Sequence, residues 1–364
     1  MNKKIKLFGL IILITLSNIS FGQTNEDKAY EKAMKAIELM DNGQIKESIK
    51  LLEEAEKLDP ERFDYPYERA YAHYKDGDYK GAIKILEKLR NHKDASERHY
   101  QLLGNSYDII GKTDKAFKVY NEGLEKFPNS GMIYLEKGNV FWGKEEYDKA
   151  LTFYEKGIKL DPSFPSNYYR ASLLYCSSSE EVWRIIYGEI FMNLERNSDR
   201  TIKISKLLYD TYKSQIKITS DTSYSVSFSQ NAQIDINNLT DTTNIKLPYG
   251  IGVYEPTLIL SIVVANAKEI NIASLNKIRN NFIDIYYEKE HNKEYPNILF
   301  DYQKKIIETG NFEAYNYWIL MKGNEDEFGE WYSKNEEKWN TFIEWFTNNP
   351  LKLDNEHKFY SNQY

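Results

Sequence analysis

The sequence predicts an all-α protein: an α-solenoid of stacked helical hairpins, then a mainly helical C-terminal domain with one short extended or β insert. Three observations predict it. A 34-residue period holds from Ala29 to Pro162. Beyond it, apolar residues recur at the three- and four-residue steps of helices. Only the stretch 217–250 breaks that pattern, with Tyr224, Val226 and Phe228 alternating with serines.

Composition bounds the function. The chain has 364 residues, with 48 Lys+Arg against 55 Asp+Glu and a net charge of −7. A mildly acidic balance excludes an extended basic surface, so no nucleic-acid partner is expected. One cysteine, Cys176, excludes an internal disulfide framework and any CxxC metal site. The five histidines form no HExxH pattern, and no metal or cofactor is expected.

Residues 1–22 read as a secretory signal peptide. Lys3, Lys4 and Lys6 make a positive start, Leu7 to Leu16 an apolar run, and Ser20 and Gly22 a small-residue cleavage site. No cysteine stands there to carry a lipid anchor. The mature chain would hold 45 positive and 55 negative residues, a net of −10. No later apolar run reaches the ~20 residues of a membrane span; Leu258 to Ala265 has eight. The expected address is exported, periplasmic first and secreted second, with no transmembrane segment in the mature chain.

Four units follow over residues 29–162. Small residues recur at Ala36, Ala70, Gly104 and Gly138, and again at Ser48, Ala82, Ala116 and Ala150. Large ones recur at Leu52, Leu86, Tyr120 and Tyr154. Gly43, Gly77 and Gly111 stand where a first helix must end, with Glu145 as the fourth member, and a left-handed residue is needed there. Pro60, Pro128 and Pro162 stop the second helix, with Asp94 in the second slot. Small positions let paired helices approach, and the large residue fills the space between them. One hairpin cannot bury its own apolar face, so hairpins must stack.

These units resemble the tetratricopeptide repeat family. The third matches with Tyr100, Leu103, Gly104, Tyr107, Ala116, Tyr120, Gly123 and Pro128, and the fourth with Tyr134, Gly138, Phe141, Ala150, Tyr154, Gly157 and Pro162. The resemblance implies a concave groove, lined by the first helices, that binds an exported protein or extended peptide. Its positions fall on Tyr67, Tyr71, Arg98, Gln101, Asn105, Leu135, Asn139, Trp142 and Tyr169. Amides at Asn105 and Asn139 can both donate to and accept from a peptide backbone. Capture of a C-terminal carboxylate by a basic clamp is not the expected mode. Arg98 is a cation, but Gln101, Leu102, Leu135 and Glu136 stand where further lysines would help.

A fifth unit starts with Tyr168, Ala171 and Ser172 and then departs from the pattern at Arg184 and Gly188, so residues 163–196 are read as a helix pair closing the stack. The C-terminal domain, 197–364, should carry a helix to Ile216 and the insert at 217–250 with a hairpin near Tyr224–Phe228, followed by Ile234 and Ile236. A turn at Pro248–Gly252 and helices from Glu255 and over 274–290, 296–309, 311–322 and 325–348 come next, with Ser274 as an N-cap and Pro296 in a first turn. Tyr187–Asn193 and Asn311–Trp318 resemble a region of exported bacterial tetratricopeptide proteins, a likeness that implies an address and no chemistry.

The acidic cluster Glu325, Asp326, Glu327 and Glu330 lacks the alternating ligands of a calcium loop and suits a helix start. Phe328, Trp331, Tyr332, Trp339, Phe342, Trp345 and Phe346 follow helical spacing and read as core. The expectation is an adaptor or scaffold, not an enzyme. The alternative makes the C-terminal domain the working part, as a glycan binder or an unrecognised hydrolase, with the repeats as its docking handle.

Overall fold

The computed structural model describes residues 24–175, 180–220, 223–229 and 247–363. The predicted signal segment 1–22, Cys176, and Ile234 and Ile236 of the insert lie outside the described residues. Two compact units divide between Asp94 and Ala95, inside the repeat array and not at 162.

The first unit holds α1 (Asn25–Asp41), α2 (Ile45–Leu58), α3 (Asp64–Lys75) and α4 (Tyr79–Leu89). The second begins with α5 (Glu97–Ile109), α6 (Thr113–Lys126), α7 (Gly131–Gly143) and α8 (Tyr147–Leu160). Its fifth hairpin is α9 (Pro165–Leu174) with α10 (Glu181–Leu194).

All four repeat hairpins turn by the same closure. Gly43, Gly77 and Gly111 have φ of +79°, +81° and +75°. Each donates its N–H back to the residue three before it, and the next residue donates to the one five before it. Glu145 makes the same pair of bonds at φ +60°. A side chain in that left-handed conformation costs on the order of 1 kcal/mol.

The register that pairs small with large residues is a volume constraint. In the third and fourth repeats glycine faces tyrosine: a Cβ on Gly104 would stand 2.1 Å from the Tyr120 ring, and one on Gly138 would stand 2.3 Å from the Tyr154 ring. In the first two repeats the corresponding pairs are Ala36 with Leu52 and Ala70 with Leu86, all four fully buried. Either combination fills the hairpin; alanine with tyrosine overfills it. In the fifth hairpin the pairing is small with small, Ser172 with Gly188. Gly188 takes the large position, and a Cβ there would meet Leu208 and the Ser172 hydroxyl at 3.0 Å.

The small residue at Gly188 lets α11 close on α10, and α10 is not a closing cap. A terminal repeat needs a polar outer face, whereas every residue of α10 from Val182 to Asn193 is buried. It is the central helix of the second unit, surrounded by the C-terminal elements. These are α11 (Asp199–Gln215), the antiparallel pair β1 (Ile216–Ser220) and β2 (Ser223–Val226), α12 (Glu255–Ala265) and α13 (Ile272–Glu288). Then come α14 (His291–Glu294), α15 (Ile298–Glu308), α16 (Phe312–Leu320), α17 (Glu325–Lys334) and α18 (Glu336–Asn348).

Several local expectations are corrected. Ile216 begins a strand that pairs with Val226, so the alternating Tyr224 segment finds its partner before it in sequence. The predicted turn at Pro248–Gly252 winds into a π-helical turn, Gly250–Tyr254, that runs straight into α12. Asn271 caps α13 in a capping box in which Ser274 is the reciprocal third residue. Asn297 caps α15, leaving Pro296 one residue outside the helix. The helix expected over 325–348 breaks at Asn335. Glu327 of the acidic cluster reaches the start of α13, where it accepts from the Ile272 and Ala273 N–H groups at 2.9 and 2.8 Å.

The aromatic spacing of α17 and α18 is inward packing. Trp331 stacks on Tyr317 at 4.3 Å and Trp318 meets Phe346 at 4.7 Å, so these faces are spent on other rings.

Two predictions rest on the repeat geometry. Gly104→Ala should destabilise the protein by about 2–3 kcal/mol by overpacking, and adding Tyr120→Leu should recover at least half of that loss; urea melts of the single and double variants check it. Glu145→Gly should raise stability by up to about 1 kcal/mol, read from the melting temperature.

Candidate peptide-binding groove

In the first unit Tyr67 stacks on Phe63 at 5.8 Å. Tyr71 is 38% exposed, with the Lys75 ammonium 5.8 Å from its ring centre. In the second unit the first helices of successive hairpins, α5, α7 and α9, carry the remaining predicted positions. Arg98 is exposed, and Gln101, Asn105, Asn139, Trp142 and Tyr169 are half-buried and reachable from solvent. Leu135 is not: it is 9% exposed and belongs to the core of this unit, so it is removed from the groove.

The amides do a different job from the one expected of them. Tyr120 donates its hydroxyl to Asn105 Oδ1 at 2.5 Å, and Tyr154 donates to Asn139 Oδ1 at 3.0 Å. The phenol that fills each hairpin ends near the groove surface and requires an acceptor there. Burial pushes the Tyr154 phenol well above its ordinary range, which keeps it a donor. The carbonyl end of each amide therefore already accepts one bond, and spare N–H groups remain for a partner.

Glu136, on α7, is the centre that sequence reasoning misses. Its carboxylate accepts from Gln101 Nε2 at 2.6 Å and from Asn139 Nδ2 at 3.0 Å, joining α5 to α7. No Lys, Arg or His nitrogen stands within 4.0 Å of it among the described residues. Beyond it the groove turns aromatic and cationic. The Arg170 guanidinium lies 5.1 Å from the Trp142 ring, and Arg200 lies 5.1 Å from the Tyr169 ring. Glu195 and the Ser166 hydroxyl hold Arg200, and Tyr169 packs on Phe191 of α10 at 5.1 Å. The surface thus offers one carboxylate with neutral neighbours, two aromatic faces and spare amide donors.

A second polar cluster is sealed inside the unit. Arg279 Nη2 and Nη1 donate to the two oxygens of Glu189 at 2.6 and 2.9 Å, with the two side chains 6% and 1% exposed. Gln303, Tyr315, Asn316 and Tyr212 complete the set at 2.5–3.0 Å. The charges are neutralised and their bonds satisfied. The adjoining cavity of 20 Å³ has room for about one water and no larger ligand. The cluster is a structural hub of α10, α11, α13, α15 and α16. Arg279→Met or Glu189→Met alone should cost about 3–5 kcal/mol, because each strands a buried charge. The double variant should cost less than the sum, as a double-mutant cycle in urea would measure.

Helical hairpins of this period and closure define an α-solenoid repeat protein. The tetratricopeptide repeat profiles match residues 33–96 and 133–164, so the chain carries tetratricopeptide repeats in its first two hairpins and its fourth. The third hairpin shares their turn closure and small–large register. Among curated proteins, the Hsp70-Hsp90 organizing protein of Triticum aestivum is 32% identical over 114 residues, 31% of this chain and 19% of that protein. A repeat-containing protein of Methanocaldococcus jannaschii is 27% identical over 106 residues, 29% of this chain and 18% of that protein. The matched stretch spans only about a fifth of either relative. Similar solved structures include a repeat protein of Thermus thermophilus, with 18% identity, TM-score 0.42, and 50% of this chain and 98% of that one covered. MamA of Desulfovibrio magneticus has 19% identity, TM-score 0.37, and 48% and 98% coverage.

Proposed function

We propose that the chain is an exported adaptor that works by binding and not by catalysis, and that the groove over α5, α7 and α9 takes an extended peptide segment of a protein partner. The observation that carries this is Glu136. It is a half-buried carboxylate bonded only to neutral amides, on a surface with spare N–H donors from Asn105 and Asn139 and the aromatic faces of Trp142 and Tyr169. Tetratricopeptide repeats as a class mediate protein–protein contacts, which supports the same reading.

The charge sets the selectivity. A carboxylate at the position where a carboxylate-binding groove needs a cation rejects a free C-terminus and favours a Lys or Arg side chain of the partner. Arg170, stacked on Trp142, favours an acidic or polar residue further along the segment. Aromatic and amide surface supplies contact that tolerates sequence variation.

Binding of the full chain to arrayed extended peptides tests the reading. Peptides with a basic residue at one fixed position should be selected, and Glu136→Lys should weaken them at least tenfold while leaving the melting temperature within a few degrees. Equal binding by the variant contradicts the groove assignment. Cell fractionation that finds the full-length chain in the cytosol contradicts export.

A further inference from the structure

A cavity of the second unit lies away from the groove, on the second helix of the fourth hairpin. It measures 630 Å³, within the range of small-molecule sites. Leu151 and Leu160 of α8, Tyr175, and Tyr360 and Ser361 of the C-terminal segment form its walls, and Glu155 forms part of its lining. That segment is anchored: Phe359 is fully buried between Trp183 and Tyr249, and the Lys358 ammonium donates to the Lys159 carbonyl at 3.1 Å.

Glu155 is the unusual group. It is 8% exposed, and its oxygens accept from three hydroxyls: Tyr175 at 2.8 Å, Tyr187 at 2.8 Å and Ser361 at 2.7 Å. No cation pairs with it among the described residues. Burial pushes its carboxyl above the ordinary carboxylate range, against the hydroxyl bonds that pull it down. A buried charge held only by neutral donors is under-compensated, and this one borders a ligand-sized space. Lys156 and Lys159 also line that space, but both are solvent-exposed, and their ammonium groups lie 5.2 Å from the Tyr134 ring and 5.4 Å from the Tyr360 ring.

We propose that this cavity binds a small molecule carrying a primary ammonium group on an apolar chain, with Glu155 as counter-ion. The carboxylate has acceptor capacity left beyond its three hydroxyl bonds. A compact ammonium uses that capacity, while Leu151, Leu160 and the tyrosine rings cover the alkyl part. A metal ion is a poor occupant, because the hydroxyls bonded to the carboxylate are spent as donors and no cluster of three ligating side chains stands there among the described residues. Since Tyr360 and Ser361 form one wall, occupancy also clamps the C-terminal segment onto α8.

Titration of the full chain with n-butylammonium chloride, against sodium chloride at equal ionic strength and n-butanol as the neutral isostere, tests the proposal. Calorimetry should give one site per chain, with butanol at least tenfold weaker. Glu155→Gln, which keeps an acceptor for the hydroxyls, should lose at least tenfold in butylammonium affinity. Thr152→Trp, at an exposed position lining the same cavity, should block binding with Glu155 intact, so the proposal is tested even where the buried variant does not fold. Butylammonium binding no tighter than butanol, or unchanged binding in Thr152→Trp, overturns it. A failure here leaves the peptide groove untouched, because none of these residues lines it.

Discussion

The Arg279–Glu189 pair fixes the architecture of the second unit. Two charges removed from water tolerate almost no separation, so α10, α13, α15 and α16 must arrive together at one point. Its reach extends to one end of the candidate groove. With α10 immobilised, Phe191 presents a fixed surface to Tyr169, and α9 is set at the groove's far end. The fourth and fifth hairpins and the C-terminal helices thus share one core, from Leu135 to Phe359. Cutting the chain at residue 163 would leave Glu155 without Ser361 and both fragments with open apolar faces. The fourth hairpin is therefore not separable from the C-terminal helices at that point.

Hairpins are legible in the sequence because their constraint is local and periodic. A glycine every 34 residues at a left-handed turn, and a small residue paired with a large one, can be read without coordinates. The coupling of glycine to tyrosine and of alanine to leucine is visible there too. So is the fixed spacing of 15 residues from Asn105 to Tyr120 and from Asn139 to Tyr154. Reading those asparagines as peptide-facing ignores the hydroxyl that the filling tyrosine must place somewhere.

What is not legible depends on residues far apart in the chain. Glu189 and Arg279 are 90 positions apart, and Glu155 and Ser361 are 206 apart. No spacing rule links them, although the Tyr187–Asn193 and Asn311–Trp318 stretches that stand out by resemblance contain Glu189, Tyr315 and Asn316 of the hub, and Asn193, which donates to the Tyr315 hydroxyl. The small–small pair at Ser172 and Gly188 looks like a failing repeat in the sequence. Its consequence, a helix buried on every side, needs Leu208 from the next helix to become visible. Glu136 reads only as a missing lysine, whereas its carboxylate ties Gln101 of α5 to Asn139 of α7.

Site-specific photo-crosslinking in intact cells tests the groove assignment most directly. A photoreactive residue replaces Gln101 or Tyr169 on the groove, or Lys118 on the opposite helix layer as a control, and adducts are identified by mass spectrometry. The account predicts partner adducts from both groove positions, carrying a basic residue near the crosslinked site, and none from the control. Adducts formed equally from Lys118, or absent from both groove positions while the chain still co-purifies with its partner, would contradict it.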